Sequence, residues 1–299
     1  MIKLAIKIDV DTEIGTRIGI PNLLVLLKGL QIPATFYLSL GPDNTGRAIK
    51  RIFRKGFFKK CARTSVISTY GLRTLLNGVL FPGPHIGKKH EQLLRTIKEQ
   101  GFDVGIHTYD HQKWQDGVAL MPQEKIAEEF QKALNEFQRI FSISATTAAA
   151  PGWQANEKTL AVYDQANFIY ASDCRGVSPF FPKIGDKTYK ILQIPTTLPT
   201  LDELLGRPEF PLEKLTAHYL SLLKLDALNV LTIHAELEGM KYLAWFRSFL
   251  VALKKQNVQF TNLSDIAKSA EFSVCELVQA EVEGRSGKLA WQGKTTVIV

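Results

Sequence analysis

Residues 2–11 read Ile2-Lys3-Leu4-Ala5-Ile6-Lys7-Ile8-Asp9-Val10-Asp11. A run to Ile8 that is mostly apolar and free of glycine and proline predicts a buried strand, and two carboxylates close it. Side chains at i and i+2 share a strand face, so Asp9 and Asp11 point the same way. Carboxylates at the end of an apolar strand stand at the open end of a parallel sheet or barrel, where binding sites form. Alone, such a pair could equally be loop acids capping the next helix.

Downstream, short apolar runs alternate with amphipathic stretches. Strands are expected at 34–40, 103–107, 145–150, 168–172, 191–194, 229–234 and 258–261, and helices at 21–30, 90–100, 122–141, 212–226 and 242–256. Pro21 suits a first helical turn and Gly101 a helix C-cap. The tail differs: Val278–Trp291 reads as a hairpin around Gly284–Gly287. Strand–helix alternation over this span predicts a mostly parallel sheet with helices outside.

Composition narrows the class. With 299 residues and 45% hydrophobic content the chain can bury a sizeable core, and a barrel of this length is routinely one domain. The net charge of +8 is local. Between Asn44 and His90 there is no Asp or Glu, whereas Arg47, Lys50, Arg51, Arg54, Lys55, Lys59, Lys60, Arg63, Arg73, Lys88 and Lys89 all fall there. Such a patch implies an anionic partner. No nucleic-acid-binding motif accompanies it. Cys61, Cys174 and Cys275 are odd in number and scattered, which fits a reducing compartment. The N-terminus reaches charged residues too soon for a signal peptide, and no apolar run of about 18 residues is present, so a cytoplasmic protein is expected.

The histidines sharpen the site. His107 ends a strand and His111 follows in Gly-Ile-His-Thr-Tyr-Asp-His, a spacing that aims both imidazoles at one point if the loop turns helically. With Asp11 they make a two-histidine, one-carboxylate set with open positions for water. Zinc, manganese and cobalt all suit that set. His234 ends Asn229–His234, with Glu236 just beyond, so three of six histidines fall at or just after strand ends.

These residues resemble the motifs of the polysaccharide deacetylase family, whose members share the NodB-homology domain. An Asp pair, then His-Thr-x-x-His (His107, Thr108, His111), then a leucine-containing strand ending in His234 come in the family's order. Segments such as SDCRG (172–176), QIPTTLPTLDELLGR (193–207), HAELEG (234–239) and VEGRSGK (282–288) resemble one branch, which acts on a formamido sugar carried by a polyprenyl phosphate. The resemblance implies a distorted (β/α) barrel over residues 1–271, a basic membrane-facing insertion at about 44–90, and a C-terminal extension at 272–299. It implies Asp9 as base, Asp11, His107 and His111 as ligands of a divalent metal, and His234, from the opposite rim, as general acid. Trp153, Arg175 and Glu236 are expected to bind substrate or support the site. Arg47, Lys50, Arg51, Arg54 and Lys55, interleaved with Phe53, Phe57 and Phe58, are expected to meet lipid phosphate at the cytoplasmic face of the inner membrane.

Two positions depart from the family pattern. Its Asp pair is normally adjacent, but here Val10 intervenes. The family's third motif normally carries an Arg two residues before a Pro, where this chain has Ala149 before Pro151. Arg175 is the expected substitute for that charge. Two other readings remain open at this point: a deacetylase of a soluble N-acetylated oligosaccharide, and a non-enzymatic polyprenyl-phosphate-binding protein.

Overall fold

A computed structural model describes residues 1–48, 74, 76–268 and 272–296. Its strands are β1 (Lys3–Val10), β2 (Thr35–Leu38), β3 (Asp103–Ile106), β4 (Thr147–Ala148), β5 (Tyr170–Ala171), β6 (Phe180–Ile184), β7 (Lys187–Thr188), β8 (Leu192–Gln193), β9 (Leu228–His234), β10 (Gln259–Thr261), β11 (Ser273–Glu281) and β12 (Lys288–Thr296). The main helices among the described residues are α1 (Ile20–Leu30), α2 (Glu91–Glu99), α3 (His111–Gly117), α4 (Gln123–Phe141), α5 (Glu157–Gln165), α6 (Leu212–Leu222) and α7 (Leu243–Lys255).

Strand β1 is the spine. Its even residues Leu4, Ile6, Ile8 and Val10 face outward into the main core, where Leu23 and Leu27 of α1, Phe130 and Phe137 of α4, and Phe246 and Phe249 of α7 also pack. Ala5 faces the other way, into a small inner core with Tyr37, Tyr170, Leu192, Ile194 and Val230. Burial on both faces is what a parallel strand under helices requires, so β1 reads as a continuous rather than alternating apolar run.

Parallel pairing runs β1-β2-β3-β4-β5-β8, and β9 lies along the other edge of β1 with Asp9 opposite His234. The sheet curls until the Thr197 and Leu198 amides, just past β8, both donate to the Val230 carbonyl at 3.1 Å. The result is the distorted (β/α) barrel that strand–helix alternation and the motif order predict. Its interior is tight: a Cβ on Gly105 of β3 would lie 2.6 Å from the Tyr37 ring, so the position needs glycine. Strand β6 pairs antiparallel with β8 and parallel with β11, and β11 pairs antiparallel with β12. The tail hairpin thereby joins the same sheet.

The strands of the far wall are shorter than the apolar runs suggest. β4, β5 and β8 have two residues each. Side chains complete that wall: the Ser172 hydroxyl donates to the Ile194 carbonyl (2.8 Å) and Gln193 Oε1 accepts from the Asp173 amide (3.1 Å).

Candidate active site

The site opens at the C-terminal ends of β1, β3 and β9. Asp11 lies one residue past β1, His107 one residue past β3, and His111 begins α3. The loop between the two histidines is not the helical turn that their spacing suggests. Thr108 takes a left-handed φ of 78°, which a β-branched residue adopts only under constraint from its surroundings. The constraint is visible: the Leu40 and Gly41 amides donate to the carbonyls of Thr108 and Tyr109. Asp110 then caps α3 through the Lys113 amide (3.0 Å) and accepts from Asn44 (2.7 Å). Reversal at Thr108 followed by a capped helix start brings the two imidazole centroids to 5.3 Å.

A carboxylate and two imidazoles meet there. His107 Nδ1 lies 2.7 Å from the Ala149 carbonyl, which can only accept, so Nδ1 carries the ring proton and Nε2 keeps its lone pair. Asp11 Oδ1 lies 3.2 Å from His107 Nε2 and 3.4 Å from His111 Nε2, and this buried oxygen makes no hydrogen bond among the described residues. A carboxylate oxygen and two imidazole nitrogens lie within 4.8 Å of one another. Converging lone pairs of this type fit a divalent cation.

The surrounding charges follow from burial and proximity. Burial opposes ionisation of Asp11, but His111 and His107 outweigh it and hold the carboxyl far below the usual range. Burial pulls the His107 imidazole down, and Asp9 and Asp11 together lift it above its ordinary value. Glu236 is fully buried. Its Oε1 accepts from the Asp11 amide (3.0 Å), the Thr12 amide (2.9 Å) and the Thr12 hydroxyl (2.7 Å), so it clamps the segment that carries Asp11. Burial, reinforced by the Asp11 charge, pushes the Glu236 carboxyl up to about 8. A Cβ at Gly15 would strike that oxygen, which explains the glycine.

His234 stands beside Asp9, not across the barrel, because β9 is the direct neighbour of β1. This corrects the expectation of an acid on the opposite rim: parallel strands in register place Asp9 and His234 on one face. Their free atoms are adjacent in kind. Asp9 Oδ1 and His234 Nδ1 are buried and make no hydrogen bond among the described residues. The His234 amide donates to Glu238 Oε2 (3.0 Å), which pins the end of β9.

Trp153 is 2% exposed, and its indole donates to the Thr196 hydroxyl at 3.2 Å. The guanidinium of Arg175 lies 5.1 Å from the ring, that of Arg285 4.5 Å and the ammonium of Lys7 5.6 Å. Trp153 is thus a packed support ringed by cations. Arg175 gives its hydrogen bonds to Glu203 (2.6 Å) and to the Thr196 and Leu198 carbonyls. The cation beside Asp9 is Lys7, at 3.4 Å from Oδ2, and this corrects the expectation that Arg175 replaces the missing family Arg. Sequence reading passed over Lys7 and Arg285. Lys7 carried a signal, since it shares the inward face of Asp9 and Asp11 at i, i+2 and i+4. Arg285 carried none: it reaches Glu203, Thr200 and Asp202 from the tail hairpin only because that hairpin folds back.

Of the basic stretch, Arg47 is exposed and donates to the Gly78 carbonyl (3.1 Å). Lys50, Arg51, Arg54 and Lys55, with Phe53, Phe57 and Phe58, lie outside the described residues.

A sequence profile described as polysaccharide deacetylase matches residues 12–171. The chain belongs to the polysaccharide deacetylase family. Two curated members of this family are similar along nearly the whole chain, and both are named probable 4-deoxy-4-formamido-L-arabinose-phosphoundecaprenol deformylase. The one from Shewanella sediminis is 36% identical over 97% of this chain and 94% of its own length. The one from Wigglesworthia glossinidia brevipalpis is 36% identical over 94% of this chain and 99% of its own length. Such relatives make the chain an amide hydrolase. Among solved structures, a probable polysaccharide deacetylase from Pseudomonas aeruginosa PAO1 superposes with a TM-score of 0.59 at 15% identity, covering 89% of each chain. PuuE allantoinase gives the same TM-score at 16% identity, again over 89% of each chain. At such identities these two likenesses speak for the fold alone.

Proposed function

We propose that this protein is a divalent-metal-dependent deformylase that removes formyl from 4-deoxy-4-formamido-L-arabinosyl phosphoundecaprenol. The products are formate and the aminoarabinosyl lipid used to modify lipid A, a modification that underlies resistance to polymyxin and cationic antimicrobial peptides. The observation that carries the chemistry is the meeting of ligand atoms from Asp11, His107 and His111 beside the Asp9–His234 strand pair, whose Oδ1 and Nδ1 make no hydrogen bond among the described residues. The choice of substrate is supported by the activity for which relatives similar along nearly the whole chain are named.

A formamide is a weak electrophile, and its amine leaves only when protonated. The site therefore needs an activated water on one side and a proton donor on the other. Asp11, His107 and His111 would hold a zinc, manganese or cobalt ion, which would supply the Lewis acidity that polarises a carbonyl and acidifies water. Asp9, with one carboxylate oxygen held and the other free, takes the proton from the attacking water. His234, on the adjacent strand, donates a proton to the departing nitrogen. Glu236 keeps the Asp11 segment in place, and Trp153 with Arg175 supports the wall behind the base.

The lipid substrate calls for access to a membrane surface, and no helix among the described residues is long and apolar enough to cross one. We propose peripheral docking on the cytoplasmic face of the inner membrane. Arg47 lies against a turn whose Val79, Leu80 and Phe81 are all exposed. Apolar side chains beside cations suit the interface of an anionic bilayer, where each cation near the surface contributes about 1 kcal/mol.

The direct test is formate release from the formamido-arabinosyl lipid, paired with metal analysis. Release that stops on chelation and returns with metal supports the proposal. Activity confined to N-acetylated chitooligosaccharides moves the substrate to a soluble glycan. Lipid binding with no hydrolysis of either leaves a carrier protein.

A further inference from the structure

Lys7 is the one fully buried ammonium among the described residues, with 0% exposure in the middle of β1. An ammonium in a protein interior is tolerated only when it is paired and hydrogen-bonded. Its partners are few. Nζ donates to the Ser172 carbonyl at 3.0 Å and forms an ion pair with Asp9 Oδ2 at 3.4 Å. The rings of Tyr37 and Trp153 each lie 5.6 Å from Nζ, which closes two further sides of its cage. The nearby Asp173 is already engaged. Its Oδ1 accepts from the Ala150 amide (2.6 Å) and its Oδ2 from Gln193 (3.2 Å). Asp9 is therefore the carboxylate that Lys7 holds, and it holds one oxygen only. Oδ2 also lies 3.9 Å from His107 Nε2, so the held oxygen borders the ligand set, while Oδ1 is buried and makes no hydrogen bond among the described residues.

We propose that Lys7 is the positioning residue of the base: gripped by Ser172 and two aromatic rings, it fixes Asp9 through Oδ2 and so presents Oδ1 to the reacting water. The inference rests on the reading of Asp9 as base. It assigns to β1 itself the orienting charge that the family pattern takes from another loop. The geometry is economical, because Lys7 and Asp9 share one face of β1 and the sheet registers both, with Asp11 one residue past the strand end. A lysine also suits the distance, since its ammonium reaches Asp9, the next inward residue of the strand.

The test compares Lys7→Met, which keeps the stem and removes the charge, with Lys7→Arg, which keeps the charge. For Lys7→Met the expected result is a loss of about 100-fold in kcat with KM nearly unchanged, the scale on which a displaced catalytic group costs rate. Metal content and the visible spectrum of the cobalt-loaded protein stay as in wild type, because Lys7 touches no proposed ligand other than through Asp9. Lys7→Arg recovers most of kcat. Adding Lys7→Met to Asp9→Asn costs nothing further. A Lys7→Met protein with wild-type kcat overturns the proposal, as does full additivity with Asp9→Asn. Crystal structures of both variants give a readout free of substrate. Asp9 turned from its place in Lys7→Met and restored in Lys7→Arg supports the inference; Asp9 unmoved in Lys7→Met sinks it. Should Lys7→Met not fold, the Lys7→Arg structure decides alone: a guanidinium on Asp9 Oδ2 supports the inference, and an Asp9 turned away with full kcat overturns it. If wild type releases formate from no substrate, the deformylase reading falls, and the structures still judge Lys7.

Discussion

The two walls of the barrel are built by different means. The near wall, β9-β1-β2-β3, is made of strands four to eight residues long, with aliphatic side chains outward and Ala5, Lys7, Asp9, Tyr37, Val230 and His234 inward. The far wall, β4, β5 and β8, has two-residue strands tied by Ser172, Asp173, Gln193, Arg175 and Thr196. Backbone ladders position the reacting groups on the first wall; a buried polar network positions the supports on the second. Disruption of the near wall should therefore strike the chemistry, and disruption of the far wall should strike stability first.

The largest effect is expected at the near-wall ligands. Alanine at Asp11, His107 or His111 should remove bound metal and lower kcat/KM by about 10⁴-fold or more, since water loses its acidifying ion. Metal analysis and formate release on the same samples check this; a variant that retains stoichiometric metal and turnover would show that the residue is no ligand. Next is Asp9→Asn, which should keep the metal and lose about 10²- to 10⁴-fold in kcat, the usual weight of a general base. Full activity there would move the base elsewhere.

On the far wall, Arg175→Met should cost about 3 kcal/mol of unfolding free energy, because buried Glu203 loses one of its two guanidinium partners and the Thr196 and Leu198 carbonyls lose a donor. Whatever protein stays folded should keep its metal and a kcat within about tenfold of wild type. Urea melts and kinetics on one preparation separate the two walls; a kcat loss larger than that of Asp9→Asn would mean that Arg175 reaches the chemistry.

The smallest effect sharpens the junction between the walls and solvent pH. Burial pushes the Glu238 carboxyl up to about 8 in the folded chain, against an ordinary value of 4.5. The folded state thus holds the proton more tightly, so this group's contribution is complete below about pH 4.5 and is lost as pH rises through about 8. Metal-free protein should lose on the order of a few kcal/mol across that window, and Glu238→Gln should flatten part of the slope. Glu236, also raised to about 8, accounts for part of what remains. A slope unchanged by Glu238→Gln would place the titration elsewhere.

Much of this was legible before folding. Strand β1, helix α1 and helix α4 match the apolar periodicity closely, because burial on one face or two leaves a direct mark on sequence. Asp11, His107 and His111 could be grouped as ligands because strand ends converge on one rim. Strand β6 and helices α3 and α5 were missed, because neither the flanks of Phe180–Ile184 nor the mixed composition of 111–117 and 157–165 carries a clean period. Arg175 was matched to the wrong partner, since a buried guanidinium chooses among carboxylates by distance and Glu203 is 28 positions away.

The alternation of the main strands and helices, the shared face of Asp9 and Asp11, and the identity of the candidate ligands belong to the sequence alone, because side-chain period and chemistry are local properties. Tertiary structure decided the rest. It reversed the chain at Thr108, seated His234 next to Asp9, boxed Trp153 among cations and gave Asp9 its lysine. These are choices among partners distant along the chain, made by the curl of the sheet and the demand that every buried charge be met.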